Sequence, residues 1–389
     1  MSTVLERERA AVMQTYRRIS VVFTQGSGSW LTDDSGKRYL DFLTGLAVVS
    51  VGHANPRVAA AVSAQMAALV HVSNLYVTEP MVRLAERLNQ RSGLDRVFFA
   101  NCGATANEAA IKLARRWGQA TKGSQCHEVV SLLDSFHGRT LATLAATGQP
   151  AKQAVFEPLP SGFRQVQAGD IDALANTITD TTAAVMLETT QGEGGVVPLP
   201  AEYLQAVRRL CDERQILLIV DDVQAGVGRT GSWFSWQALG FSPDIATTAK
   251  ALANGLPIGA CMATESVAAA FRPGDHATTF GGGPVVCAAA HATLDEIESR
   301  DLLANTAARS RQLVDGLNRI DGVASVRGRG LLLAATLDEP RAGDVATAAL
   351  AAGLIVNAVR PDAVRFAPPL TVSEQEVDVA LERFEEAMQ

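Results

Sequence analysis

The chain has 389 residues, of which 41 are acidic and 34 basic, and a net charge of −7. Apolar residues make up 47% and charged residues 19%, which supplies a large core and excludes intrinsic disorder as the main state. The acidic balance disfavours nucleic acid as a partner, and no apolar run approaches the length of a membrane span. At this length we expect two or three structural units.

The cysteine pattern and the N-terminus predict a cytoplasmic protein. The five cysteines are odd in number and form no C-x-x-C pair, which fits a reducing compartment. The charged N-terminal segment lacks the apolar stretch of a signal peptide. The six histidines show no metal-ligand spacing, so we predict no metal site.

The predicted elements fall into three parts along the chain. Residues 1–55 contain a short hairpin and are predicted to pack with the C-terminal part. Residues 56–295 alternate short apolar strands with helices, which predicts a large α/β domain with a mostly parallel sheet. Its predicted strands are 96–100, 128–133, 183–188, 216–220 and 245–248. Residues 296–389 contain a long helix, strands around glycine-rich turns and a terminal amphipathic helix, which predicts a smaller α+β domain.

Two charged residues follow strands of the predicted sheet. Asp221 ends the apolar strand 216–220, and ligands gather at the carboxyl ends of strands in such sheets, although an acid there also caps turns. Lys250 is one of only five lysines and has small apolar neighbours, whereas the other four lie in polar turns or on a helix face. Burial lowers the pKa of a lysine and makes its amine a nucleophile for carbonyls. The alternative is a structural lysine that extends to solvent.

A third feature is the strand-to-helix segment 101–108. Small residues at Gly103 and Ala104 and the positive end of the helix dipole form a phosphate site by geometry, although a tight turn capped by Thr105 has the same pattern. An acid, a lysine and a phosphate site on one sheet point to pyridoxal 5′-phosphate. The lysine would hold its aldehyde as a Schiff base, and the acid would keep its ring nitrogen protonated.

Ordered motifs continue this pattern along the chain. They are HVSNLYVTEP at 71–80, SFHGRT at 135–140, LAATGQP at 144–150, QGEGGV at 191–196, GVGRTG at 226–231, GLPIGA at 255–260, TFGG at 279–282 and VRGRG at 326–330. With them, the sequence from about Val22 onward resembles the class III aminotransferases, the ω-group of the aspartate-aminotransferase fold. Within this family it is most similar to the acetylornithine aminotransferases of arginine biosynthesis.

The resemblance implies a set of cofactor contacts and a homodimer. Lys250 matches the Schiff-base lysine, and Asp221 the partner of the ring nitrogen. Gly103 and Ala104 match the amides that bind the phosphate. Val223 and Phe136 match the residues against the two ring faces, and Gln224 matches the residue beside the ring hydroxyl. Thr279 matches a threonine that reaches the phosphate of the neighbouring subunit, which implies composite active sites at a subunit interface.

The resemblance also implies the substrates. Arg139 and Arg365 match two clamps for substrate carboxylates, and Glu193 matches a glutamate that pairs with Arg365 until glutamate binds. Arginine suits these positions because its guanidinium pairs with a carboxylate through two hydrogen bonds. The expected reaction moves the terminal amino group of N-acetylornithine to 2-oxoglutarate. The alternative is a related ω-aminotransferase that acts on ornithine, succinylornithine, γ-aminobutyrate or N-succinyl-diaminopimelate.

Departures from the family pattern keep other interpretations open. Four residues near the pocket differ from the usual family residue, namely Cys102, Asp222, Thr189 and Gly283, and they motivate the alternative of an inactive cofactor-binding homologue. The retained Lys250, Asp221, Arg139 and Arg365 argue against that alternative. The G-x-G-x-x-G at 226–231 is typical of nicotinamide-dependent dehydrogenases. Five residues separate it from the strand, and no helix pattern opens there, which disfavours that alternative. An RNA-binding role for VRGRG at 326–330 conflicts with the acidic chain.

Overall fold

The structure is a computed structural model that describes residues 3–389. The helices are α1 (Val4–Ala11), α2 (Thr44–Ala47), α3 (Pro56–Ala68), α4 (Glu79–Ser92), α5 (Gly103–Lys122), α6 (Leu141–Ala146), α7 (Pro150–Gln153), α8 (Ile171–Thr177), α9 (Ala201–Arg214), α10 (Glu265–Ala268), α11 (Pro284–Ser299), α12 (Leu302–Leu317), α13 (Ala342–Ala351) and α14 (Glu374–Met388). Short 3₁₀ turns occupy Ala154–Phe156, Ser235–Leu239 and Lys250–Ala253.

The strands form several sheets, and most sheets contain strands from one part of the chain. They are β1 (Phe23–Ser27), β2 (Trp30–Asp33), β3 (Arg38–Asp41), β4 (Arg96–Ala100), β5 (Glu128–Leu132), β6 (Phe163–Val166), β7 (Thr182–Leu187), β8 (Thr190–Gln191), β9 (Val197–Pro198), β10 (Leu217–Asp221), β11 (Ile245–Thr248), β12 (Gly259–Ala263), β13 (Val323–Arg329), β14 (Leu332–Leu337), β15 (Leu354–Ile355), β16 (Asn357–Arg360) and β17 (Ala363–Phe366).

A seven-stranded sheet forms the centre of the fold, in the order β4-β12-β11-β10-β7-β5-β6. All neighbouring pairs are parallel except the two that involve β12. Both faces of the sheet are buried, as β10 shows. Leu217 and Ile219 pack into one core with α5, whereas Leu218 and Val220 pack into the other. The predicted α/β architecture with a mostly parallel sheet is therefore confirmed, and its strands are continuous apolar runs because water reaches neither face.

The N-terminal strands are joined to the C-terminal part of the chain. Strands β1, β2 and β3 form a sheet with β15, in which Leu354 pairs with Leu40 in parallel. A separate antiparallel sheet has the order β13-β14-β17-β16 and carries Arg365 on β17. The boundaries 1–55, 56–295 and 296–389 stay a prediction.

The glycine-rich segment 226–231 forms turns that connect the sheet to the C-terminal strands. Arg229 is fully buried, and its guanidinium donates to the carbonyl of Leu331 and to the hydroxyl of Ser50, both at 3.1 Å. No helix begins at these glycines, so the segment lacks the helix N-terminus that holds a dinucleotide phosphate. Within residues 3–389, no helix combines the length and apolar character needed to cross a membrane.

Candidate active site

A cavity of about 380 Å³ opens at the carboxyl ends of the sheet strands, a volume typical of small-ligand sites. Most of the predicted site residues line it, namely Gly103, Ala104, Phe136, Arg139, Glu193, Asp221, Val223, Gln224 and Lys250. Arg365 lies behind the cavity wall, in contact with Glu193 and Gln224. Thr279 is exposed and lies outside this cavity, among residues 277–283.

The carboxylate of Asp221 is only 4% exposed and is held by donors from three directions. The amide of Asn107 lies 2.7 Å from its Oδ2, and the Nδ1 of His137 lies 2.8 Å from the same oxygen. The backbone N–H of Val223 donates to Oδ1 at 3.1 Å. Asn107 is fixed in turn because its amide oxygen accepts from Thr247 at 2.6 Å. The charge of Asp221 is thus oriented toward the cavity.

A second buried carboxylate, Glu188, supports the wall beside Asp221. It accepts from the backbone N–H groups of Phe136 at 2.9 Å and Gly192 at 3.3 Å. Burial, helped by the charge of Asp221 and opposed by His137 and the two backbone hydrogen bonds, raises its pKa to about 7. Glu188 therefore fixes the Phe136 backbone and is about half protonated at pH 7.

Lys250 follows β11, directly beside the strand that ends in Asp221, since Asp221 pairs with Thr247 across β10 and β11. Its backbone has a φ of 41°, in the left-handed region that non-glycine residues seldom adopt. Burial lowers its pKa to about 8, with a smaller contribution from Arg365, while Glu193 and Asp221 act in the opposite direction. About half of the amine is thus uncharged near pH 8, a far larger share than for an ordinary lysine, and the uncharged amine is the nucleophile.

The N-terminus of α5 forms one end of the cavity. The N–H groups of Gly103 and Ala104 belong to the first turn, where no helix carbonyl accepts from them. A Cβ on Gly103 would lie 2.7 Å from the Val223 side chain, so only glycine allows this close approach. Free N–H groups at the positive end of a 20-residue helix fit a phosphate. Cys102 precedes them as the exposed N-cap residue.

A flat ring fits between the remaining walls. Phe136 and Val223 both line the cavity, and the guanidinium carbon of Arg139 lies 5.6 Å from the centroid of the Phe136 ring. The carboxylate, the amine and the phosphate niche all open to this one space. The residues present therefore fit pyridoxal 5′-phosphate.

Arg365 and Glu193 form a buried ion pair at the far side of the cavity. The Nη1 of Arg365 lies 2.6 Å from the Glu193 carboxylate, and the Arg365 side chain is only 1% exposed. Burial alone would raise the pKa of Glu193, but the charge and hydrogen bond of Arg365 hold that pKa below its usual value. The Nη2 of Arg365 is buried without a hydrogen-bond partner in the described part of the chain. An unpaired buried donor is costly, and a ligand carboxylate would satisfy it.

Two of the departures from the family pattern contact one another through Ser235. The Thr189 hydroxyl donates to the Ser235 hydroxyl at 2.6 Å, and Ser235 donates to Asp222 from both its hydroxyl and its backbone N–H. Burial, helped by the neighbouring charge of Asp221 and opposed by the two hydrogen bonds from Ser235, raises the pKa of Asp222 to about 7. Thr189 and Asp222 thus form one network behind the site.

Sequence reasoning missed the residues that orient the predicted ones. No recognisable spacing marks Asn107, His137 and Glu188, whose partners are distant in the sequence. Asn357 contacts Arg365, eight residues away on the next strand. One signal was available for Asn107, because it lies four residues after Gly103 and so one helical turn from the phosphate niche.

Comparison with known proteins points to one family. The sequence model described as aminotransferase class-III matches residues 11–388. An acetylornithine aminotransferase of Gloeobacter violaceus is 49% identical over 384 residues, which cover 97% of this chain and 96% of that protein.

Solved structures give the same answer. The N-acetylornithine aminotransferase of Stenotrophomonas maltophilia superposes with a TM-score of 0.85 at 34% identity and covers 99% of this chain and 98% of its own. An ornithine aminotransferase of Toxoplasma gondii superposes with a TM-score of 0.93 at 31% identity, covering 98% and 93%. That structure is described with pyridoxal phosphate at partial occupancy in its active site.

The buried Asp222 predicts a pH-dependent stability difference. Between about pH 4 and 7 the unfolded chain loses the Asp222 proton while the folded protein keeps it, so this residue costs stability that increases with pH. As the pH rises from 4.5 to 7.5, the unfolding free energy of Asp222→Asn relative to that of the wild type should therefore increase by about 2–4 kcal/mol. Urea unfolding at fixed protein concentration measures this difference.

The exposed Asp338 provides the control. The difference in unfolding free energy between Asp338→Asn and the wild type should stay flat over the same range. A flat difference for Asp222→Asn as well would contradict the buried, protonated carboxyl.

Proposed function

Because the chain belongs to the class III aminotransferase family, we propose that it transfers the terminal amino group of N-acetylornithine to 2-oxoglutarate, forming glutamate. The fold, the family and pyridoxal 5′-phosphate as cofactor, all predicted from the sequence, are confirmed by the comparisons. The proposal for the substrates rests on the curated relatives. The observation that carries it is the ion pair between Arg365, behind the cavity wall, and Glu193, which lines the cavity together with Lys250.

The residues of this chain have separate tasks in the proposed reaction. Bound pyridoxal phosphate supplies an aldehyde that takes up the amino group and an electron-poor ring that stabilises negative charge on the substrate carbon. Asp221 would pair with the ring nitrogen, and the N–H groups of Gly103 and Ala104 would bind the phosphate. The Nζ of Lys250 removes the proton from the substrate carbon that carries the amino group.

The arginines distinguish the two substrates. N-acetylornithine reacts at its terminal amine and brings no carboxylate to Arg365, so Glu193 keeps that guanidinium paired. Glutamate reacts at its α-amine and brings an α-carboxylate, which displaces Glu193 and binds Arg365. Arg139, exposed at the cavity mouth, binds the distant carboxylate of either substrate.

Single half-reactions test these roles. We expect Arg365→Ala to slow the reaction with glutamate at least about 50-fold while the reaction with N-acetylornithine changes by less than about threefold, because only glutamate uses this clamp. Arg139→Ala should slow both. The absorbance change of the bound cofactor after rapid mixing with each amine measures the rates.

The same assay ranks the donors. The wild-type enzyme should react faster with N-acetylornithine than with any of the four alternative amines, namely ornithine, succinylornithine, γ-aminobutyrate and N-succinyl-diaminopimelate. A faster reaction with another donor would overturn N-acetylornithine as the proposed substrate.

Equal losses of rate with glutamate and with N-acetylornithine in Arg365→Ala would contradict the role of Arg365 as a clamp for the glutamate carboxylate.

We also propose that the protein works as a homodimer in the cytoplasm. All five cysteines are free thiols, as a reducing compartment favours. Leu75, Tyr76 and Val77 are 88%, 68% and 79% exposed, and Asn74 ties this segment to the loop of Thr279 through two 3.0 Å hydrogen bonds. An apolar patch of this kind typically marks an interface, and it would carry Thr279 to the cofactor phosphate of the partner.

Light scattering after gel filtration tests the dimer. The wild type should have twice the 41.0 kDa mass of one chain, and Leu75→Asp should shift it toward the monomer because it buries a charge at the interface. Ala348→Asp adds the same charge on the exposed face of α13 and should leave the mass unchanged. A monomeric wild type with full activity would refute the composite site.

A further inference from the structure

Asn357 lies directly across the sheet from Arg365. The two residues are cross-strand partners in the antiparallel pair of β16 and β17, and their side chains therefore lie on the same face. The Nε of Arg365 donates to the side-chain oxygen of Asn357 at 3.1 Å. The Nδ2 of Asn357 lies 3.3 Å from the carbonyl of Ala358, which keeps the amide oxygen turned toward the arginine.

The two edges of the Arg365 guanidinium differ in their partners. A carboxylate binds a guanidinium through two parallel hydrogen bonds, either at the end with Nη1 and Nη2 or at the side with Nε and Nη2. Asn357 occupies Nε, so the side is closed. Nη1 donates to Glu193 at 2.6 Å and makes longer contacts with the Gly192 carbonyl at 3.5 Å and the Gln224 amide oxygen at 3.4 Å. Nη2 has no partner among residues 3–389. The end edge is therefore the one that can accept a carboxylate once Glu193, the short and charged partner, leaves.

The two acceptors also differ in mobility and charge. The Glu193 side chain is 27% exposed and has space to leave the pair, whereas Asn357 is fixed by the strand pairing. The amide is neutral, so it orients the guanidinium without neutralising the charge that attracts a carboxylate. An aspartate at the same position would be a permanent competitor for that charge.

We propose that Asn357 is a positioning residue that holds the Arg365 guanidinium with its end edge, Nη1 and Nη2, toward the substrate. This inference rests on the proposed function, in which Arg365 binds the α-carboxylate of glutamate. Asn357 thereby contributes to selectivity for the acceptor half of the cycle. It has no part in the reaction of the acylated donor, because Arg365 then stays paired with Glu193.

Two variants separate this role from a general structural one. Asn357→Asp should raise the KM for glutamate at least about 20-fold, because the new carboxylate pairs with Arg365 and cannot leave. Asn357→Ala frees Nε and allows the guanidinium to turn, so we expect a smaller rise, about fivefold. In both variants the half-reaction with N-acetylornithine should stay within about twofold of the wild type. Rapid-mixing measurements on the holoenzyme give all of these values.

Ala358→Asp is the matched control. It adds the same charge one residue along β16, on the exposed opposite face, and should leave both half-reactions unchanged. Asn357→Ala serves alone if Asn357→Asp does not fold, as judged by circular dichroism and cofactor content. Equal losses in both half-reactions, or no loss with glutamate, overturn the inference.

Arg365→Ala distinguishes this failure from failure of the proposed function. If Arg365→Ala loses the glutamate half-reaction and the Asn357 variants do not, only the positioning role is wrong. If Arg365→Ala keeps that half-reaction, the proposed clamp fails, and the role of Asn357 fails with it.

Discussion

The buried carboxylate of Asp221 is the constraint on which the site depends. A carboxylate at 4% exposure is tolerated only because Asn107, His137 and the backbone N–H of Val223 satisfy it. These donors come from α5, from the loop after β5 and from the turn after β10, so the sheet must place all three before the charge can be held. The cofactor niche, the amine of Lys250 and the phosphate-binding turn are arranged around that charge.

A second buried charge, on Arg365, is the group that lets one site accept two substrates in the proposed function. Its guanidinium needs partners on three sides because it is 1% exposed. Glu193 provides one that can leave, Asn357 provides one that stays, and Nη2 is left for a ligand. The low pKa of Glu193 keeps the pair ionised, so in the proposed function one carboxylate takes the place of another at the guanidinium.

The sequence predicted the elements and residues that a single segment of the chain defines. It did not predict the side-chain contacts that join two distant segments. The apolar runs located the strands, and the strand ends located Asp221 and Lys250, because parallel strands bring their carboxyl ends together. The motifs of the family supplied Arg365 and Glu193. The segment 101–108 was predicted to join a strand to a helix, and α5 begins there at Gly103. The contacts of Asn107 with Asp221 and of Thr189 with Ser235 join residues 114 and 46 positions apart, which no local pattern records.

The most direct test of this account is where borohydride fixes the cofactor. Protein loaded with pyridoxal phosphate, reduced, digested and analysed by mass spectrometry should carry the label on Lys250. Lys152→Ala, which removes another lysine near Phe136, should leave the label in place, and Lys250→Ala should abolish it. Label on any of the other four lysines, or no uptake of the cofactor at all, would contradict the account.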